Sequence, residues 1–225
     1  MVLNQTKNIK QTLETYGYPF KSKEHSLRVD QFNKGMNSNY IVKYISGYDK
    51  NGKPSKFVCP EILKYQFKEK KYNYSNQCCY KLKKALLHDW QKEHNKKMVI
   101  TGMRNEEGGN RARLTCITNN GKMFHPLIVV TEEWEEWFIK QYQVKLCKLY
   151  YPPYNFKRTG CRGCPFSLTL EKDLLTMKEY LPYDFNACLR LWKPIYDEYV
   201  RLGYRLSKDF YIKAHQLQLD LGELK

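Results

Sequence analysis

At 225 residues, 42% of them apolar, the chain is long enough for one sizeable domain with a real core. No apolar run approaches ~18 residues, which excludes a spanning helix, and the start Met1-Val2-Leu3-Asn4-Gln5-Thr6-Lys7 lacks the apolar stretch of a signal peptide. The net charge is +16, and residues 1–100 hold 20 Lys and Arg against 8 Asp and Glu, a net of +12. Such a basic half suits an anionic partner (nucleic acid, a nucleotide or an acidic protein surface), or is simply a lysine-rich solvated face. The chain reads as intracellular, so its eight cysteines are expected as reduced thiols or metal ligands and not as a disulfide frame.

In chain order, residues 1–16 predict a short amphipathic helix (Val2, Ile9, Leu13), broken by Gly17-Tyr18-Pro19-Phe20. Residues 24–36 predict a second helix, and Tyr40-Ile41-Val42-Lys43-Tyr44-Ile45 reads as a strand. Gly47 to Pro54 is a loop with Lys50-Asn51-Gly52-Lys53 as its turn. Residues 61–74 are rich in Lys and Tyr and partly helical. There Lys64, Lys68, Lys70 and Lys71 interleave with rings up to Tyr72, either to stack on bases or as an amphipathic helix with half-buried tyrosines. Residues 76–95 predict a helix with the stripe Cys79, Leu82, Leu86 and Trp90 and with Cys78 and Cys79 in its first turn, where amides and positive charge lower a thiol's pKa.

Lys97 to Gly102 reads as a short buried strand, the usual plan for a site at the carboxyl end of a sheet. The next residues carry Arg104, Glu107, Gly108-Gly109, Arg111 and Arg113. This is either an anion-binding loop, since arginine offers a fork to phosphate or sulfate and glycine lets the backbone approach, or a turn with surface arginines. Leu114–Thr118 and Met123–Thr131 predict a hairpin about Asn119-Asn120-Gly121. A helix over 132–142 is capped by Thr131, with Trp134, Trp137 and Phe138 assigned to the core. Residues 184–202 and 206–220 predict closing helices.

The cysteines carry the sharpest chemistry. Cys78-Cys79 on one segment and Cys161-Arg162-Gly163-Cys164 on another make a four-thiol set suited to an iron–sulfur cluster or a tetrahedral zinc. Cys59, Cys116, Cys147 and Cys188 are scattered and expected as buried thiols. His25, His88, His94, His125 and His215 lie in no recognised motif.

Four segments in order resemble the phosphoadenosine phosphosulfate (PAPS) reductase family, especially its phage and mobile-element branch. They are Tyr16–Phe20 with Ser22-Lys23-Glu24, Cys78-Cys79 with Leu82-Lys83, Thr101-Gly102-Met103-Arg104 through Glu107-Gly108-Gly109 and Arg111, and Arg158-Thr159-Gly160-Cys161 through Phe166. The resemblance spans residues 14–205. It implies an α/β fold: a truncated Rossmann-like core of the adenine nucleotide alpha-hydrolase type, with additional helices and a β-hairpin. It also implies a single domain over 1–225, with a basic part at 1–100 and a helical part bearing the Cys-x-x-Cys at 145–225. It places Cys78, Cys79, Cys161 and Cys164 on the ligands of a [4Fe–4S] cluster, with Zn2+ or four unliganded thiols as the alternatives. Arg104, Glu107, Arg111 and Arg158 fall where the family approaches its phosphosulfate.

Two departures weigh against reductase activity. No Ser-Gly-Gly-Lys-Asp-Ser-type phosphate loop occurs, and the last cysteine is Cys188, so no thiol stands near the C-terminus to attack a sulfonucleotide. The expectation is a family member that has lost sulfonucleotide reduction and keeps a four-cysteine site beside an arginine loop, in the cytoplasm of a bacterial host cell. A partner chain or a second copy would cover the exposed sheet, because an uncovered edge and apolar face need a cover. The alternative is a phage-encoded, non-enzymatic inhibitor, anti-CRISPR-like, that binds nucleic acid or a host nucleoprotein complex.

Overall fold

The computed structural model describes residues 7–214, apart from the side chain of Asn110. They form two compact units, Met1–Lys84 with Leu149–Lys225, and Ala85–Lys148. The fold is mixed and helix-rich, with one small three-stranded sheet.

The first unit begins with α1 (Ile9–Tyr16), whose capping box closes between Asn8 and Gln11. Gly17 ends it at φ +97°, and a Cβ there would lie 2.6 Å from the Asn73 carbonyl oxygen, so only glycine allows the two strands of chain to meet. Helix α2 spans Lys23–Asn33, capped by the Ser22 hydroxyl. Residues Asn39–Ser46 form helix α3, correcting the strand expected there. The β-branched and aromatic residues favour a strand only weakly. What decides is that Ile41 and Tyr44 are buried three positions apart on one face, with Gly47 in a left-handed C-cap whose N–H reaches the Lys43 carbonyl.

A 3-10 segment, Glu61–Phe67, buries Leu63, Gln66 and Phe67. Helix α4 (Gln77–Cys79) runs directly into a π-helical turn, Tyr80–Lys84. After the second unit the chain returns through a loop to α7 (Leu170–Tyr180) and α8 (Pro182–Leu202), which pack together. Helix continues at Phe210–Ala214, and the rest of the closing helix expected over 206–220 lies outside the described residues. The contiguous apolar core belongs to this unit and includes Leu13, Phe20, Val29, Tyr44, Leu63, Leu174, Trp192, Tyr196 and Phe210.

A polar chain threads that core. Tyr44 OH meets His25 Nδ1 at 2.9 Å, and His25 Nε2 meets Gln66 Oε1 at 2.7 Å. Gln66 Nε2 donates to Tyr65 OH at 3.1 Å, and Tyr65 OH donates to Glu198. Glu198, 1% exposed, is neutralised by Lys71 and Arg201. Burial lowers the His25 pKa to about 4 despite its bond to Gln66. Burial works to raise the Glu198 pKa, but bonds from Arg201, Tyr65 and Lys71 outweigh it and bring the carboxyl to about 2.

The second unit holds α5 (Ala85–Glu93), β1 (Val99–Ile100), β2 (Ile117–Thr118), β3 (Met123–Phe124) and α6 (Glu132–Gln141). The expected hairpin is present, shorter than read, with Asn119 and Asn120 both at positive φ in its turn. β1 pairs with β3 in parallel, giving the order β1-β3-β2. The strand expected as buried is only two residues long, and Ile100 is 69% exposed. His125 ties the sheet together: its ring lies 2.6 Å from the Thr101 hydroxyl and 2.9 Å from that of Thr118.

Thr131 caps α6 as expected, accepting from the Trp134 amide. Trp134, Trp137 and Phe138, expected in the core, are exposed. Their positions three and four apart let the rings pack along the helix surface, Trp134 on Phe138 at 5.2 Å and Phe138 on Tyr142 at 4.6 Å. Cys116 and Cys147, expected as buried, are exposed as well, whereas Cys59 and Cys188 are buried. Both exposed thiols belong to the unit with few buried positions. No described helix is long and apolar enough to cross a membrane.

Candidate metal centre

Three of the four segments singled out in the sequence converge in the first unit. The Tyr16–Phe20 segment lies alongside the residues that precede the cysteine pair: Tyr18 N–H donates to the Asn73 carbonyl (2.7 Å), and Ser75 N–H donates to the Tyr18 carbonyl (2.8 Å). α1 packs against α4 and the π turn, so this pairing fixes where Cys78 and Cys79 emerge. Tyr199 OH accepts from the Lys21 amide (2.8 Å) and donates to the Pro165 carbonyl (2.9 Å), joining the first segment to the Cys161–Phe166 turn.

The thiols perturb one another. The neighbouring Cys79 side chain, then burial, then the charges of Cys79 and Cys164, raise the Cys78 pKa. The Cys78 side chain in turn lowers the pKa of Cys79 against the opposing effect of burial, helped by Lys23, Lys83 and Lys84. Burial pushes the Cys164 thiol up to about 11, with Cys161 and Cys79 adding to the rise. The Cys161–Cys164 turn closes on itself through the Cys164 amide and the Cys161 carbonyl (3.1 Å). Gly163 sits at φ +56°, where a Cβ would come within 2.9 Å of Cys188 Sγ.

As donors the four cysteines suit a soft or borderline metal: four sulfurs from two short turns, with lysines to offset the charge of thiolates. They do not stand as a ready-made cage, because no three His, Cys, Asp or Glu side chains among the described residues converge on one point. Uptake of an ion therefore requires side chains to move. Cys188, missed as a neighbour in the sequence, packs behind the turn, and burial raises its thiol to about 11. Its spacing within α8, four residues before Trp192, carried only the signal of a core position.

The arginine loop belongs to the second unit. Arg104 pairs with Glu135 (2.7 Å) and more distantly with Glu106 (3.8 Å), and Arg111 pairs with Glu107. Glu135 was not singled out in the sequence, because an ion-pair partner so distant in the chain carries no local pattern; Glu106, two residues from Arg104, was passed over for its neighbour Glu107. Arg158 is exposed on the loop before the Cys161 turn.

Of the basic segment, Lys64 pairs with Glu61 (2.7 Å), Lys71 pairs with Glu198 (3.2 Å), and Lys68 and Lys70 are exposed. Tyr72 is half-buried and lines a groove of about 600 Å³ with Lys10, Tyr18, Arg190, Leu191 and Pro194.

A family model for the phosphoadenosine phosphosulfate reductase domain matches residues 31–167, more than half of the chain, and the chain belongs to that family. The matched span contains both cysteine pairs and the arginine loop. No curated protein and no solved structure matches the chain.

Proposed function

We propose that this PAPS reductase family member is built around a four-cysteine centre formed by Cys78, Cys79, Cys161 and Cys164, which holds a [4Fe–4S] cluster or Zn2+, and that it does not itself reduce a sulfonucleotide. The observation that carries the centre is that Cys78, Cys79 and Cys164 act on one another within one compact unit, beside Lys23, Lys83 and Lys84, with Cys161 in the same tight turn as Cys164. Bound there, a cluster would supply electrostatic and redox character, and zinc a structural tie. The residues' own part is to offer sulfur donors and to balance their charge.

Two features support the absence of reductase chemistry. Cys188 is buried with its thiol raised, a poor nucleophile. Arg104 and Arg111 already hold carboxylates, so an incoming phosphate or sulfate must displace Glu135 or Glu107 before either arginine can bind it. The small mixed sheet is then this chain's counterpart of the family's Rossmann-like core. Anaerobic purification followed by joint assay of iron, zinc and co-purifying nucleic acid tests this reading. Metal with no nucleic acid is expected; metal-free protein whose thiols bind neither zinc nor iron would overturn it.

A second reading is favoured by charge. The first unit holds 29 Lys and Arg against 15 Asp and Glu, a net of +14, and the second only 10 against 8, a net of +2. A nucleic acid or nucleoprotein target, as for an inhibitor of a host defence complex, would meet that surface, with bases against Tyr18 and Tyr72 and phosphates near Lys10 and Arg190. Binding that falls steeply with salt is its signature, and affinity unchanged between low and high salt removes it.

A further inference from the structure

The two cysteine turns are built differently. Helix α8 presents Trp192, Tyr196 and Tyr199, at spacings of four and three that place them on one face, to the turn that holds Cys161 and Cys164. Trp192 Nε1 donates to the Arg162 carbonyl at 3.1 Å, Tyr196 OH donates to the Gly163 carbonyl, and Tyr199 OH donates to the Pro165 carbonyl at 2.9 Å. Beyond them, Arg205 donates to the carbonyls of Phe166 and Ser167. All three ring side chains are at most 1% exposed; the bonds from Tyr196 and Tyr199 are buried and that from Trp192 partly so. A buried hydrogen bond whose partner is removed leaves an unsatisfied group, which makes this ladder a firm constraint on the turn.

The Cys78–Cys79 turn is held differently, from its N-terminal side: the Ser75 hydroxyl accepts from the Gln77 amide at 3.0 Å, and α1 packs against it. Its N-cap, Asn76, makes no side-chain cap bond, the helical piece is three residues long, and it opens directly into the π turn Tyr80–Lys84. A π turn is an insertion strained within a helix, common at functional sites, and returning it to α geometry rotates the residues beside it. The thiols do not converge as they stand.

We propose that Trp192, Tyr196 and Tyr199 are positioning residues that hold the Cys161–Cys164 turn as the preformed half of the thiol centre, while the Cys78–Cys79 segment, hinged on the π turn, is the half that moves when an ion is taken up. The moving half rests on the four-cysteine reading given above; the clamp does not.

Hydrogen–deuterium exchange on the full chain, metal-free and after addition of zinc, tests both. In metal-free protein, Tyr196→Phe should speed exchange of the Cys164 and Ser167 amides by about tenfold, the loss of one buried hydrogen bond, and leave the amides of α2 unchanged. Trp192→Phe should act on the same two amides, which keeps the test open if either variant folds poorly. Equal exchange at the turn in wild type and in a folded variant overturns the clamp.

Zinc added to the wild-type protein should slow exchange across residues 77–84 and leave 161–167 as it was, and Tyr196→Phe should lower zinc affinity about tenfold. Slowing confined to 161–167 overturns the division into fixed and moving halves. No zinc uptake at all by wild type overturns the four-cysteine reading and the moving half together, while the metal-free exchange still decides the clamp.

Discussion

The two compact units solve the problem of stability in different ways. The first buries a contiguous apolar core and threads it with a satisfied polar chain from Tyr44 to Glu198. In the second, Ile128 and His125 are the described side chains classed as buried, and Ile100, Ile117, Val129, Trp134 and Trp137 are more than 45% exposed. The thiols sit on the first and the arginine loop on the second. The proposed donor set thus lies on the unit with the packed core. The arginines are held by carboxylates, Arg111 in reach of water and Arg104 largely shielded from it. Exposed apolar surface on this scale in the second unit is the kind that marks an interaction site.

Substitutions sharpen that contrast. The largest effect is expected at Leu174→Ala, in the core of the first unit, which should cost about 2–5 kcal/mol in chemical denaturation. Glu198→Gln, which removes the buried carboxylate shared by Tyr65, Lys71 and Arg201 but leaves two cations that are about half exposed, should cost about 1–3 kcal/mol by the same measure. Trp134→Ala in the second unit should stay within about 1 kcal/mol, since the ring is half in water. A Trp134 cost as large as that of Leu174 would break the comparison.

Acid should act through the first unit in two stages. His25 has its folded pKa depressed to about 4 from an ordinary value of 6.5, so the folded state resists protonation. Its contribution is full above about pH 6.5 and is lost as pH falls to about 4, on the order of 3 kcal/mol. Glu198, depressed to about 2, is fully stabilising above about pH 4.5 and loses its contribution below that. His25→Gln should flatten the upper stage of the stability–pH curve and leave the lower. The smallest effect is expected at Arg104→Ala: its carboxylate partners are about half exposed, and loss of the pair should cost less than about 1 kcal/mol.

The sequence made the two cysteine doublets legible as a candidate centre because their information is local. Two doublets of cysteine, each within a single turn, need only the fold to bring two points together, and the order of the four segments carried that fold. The helix cap at Thr131 and the Asn-Asn-Gly hairpin were legible for the same reason. What escaped was set at long range. The Tyr40–Ile45 segment has a strand's residues, but a core on one side only and a glycine cap made it helical. The rings of α6 have a core's residues, but the second unit offers them no core. The pairing of Cys188 with Gly163, and of Arg104 with Glu135, depends on elements distant in the chain that no short pattern announces.

The central claim is that the first unit's four cysteines form one metal centre independent of the arginine loop. Metal content per chain, measured on anaerobically purified wild type, Cys79→Ser, Cys161→Ser and Arg104→Ala, tests it most directly. The account expects stoichiometric iron or zinc in wild type and Arg104→Ala, and its loss in both cysteine variants. Metal retained in Cys79→Ser and Cys161→Ser, or absent from wild type, would contradict it.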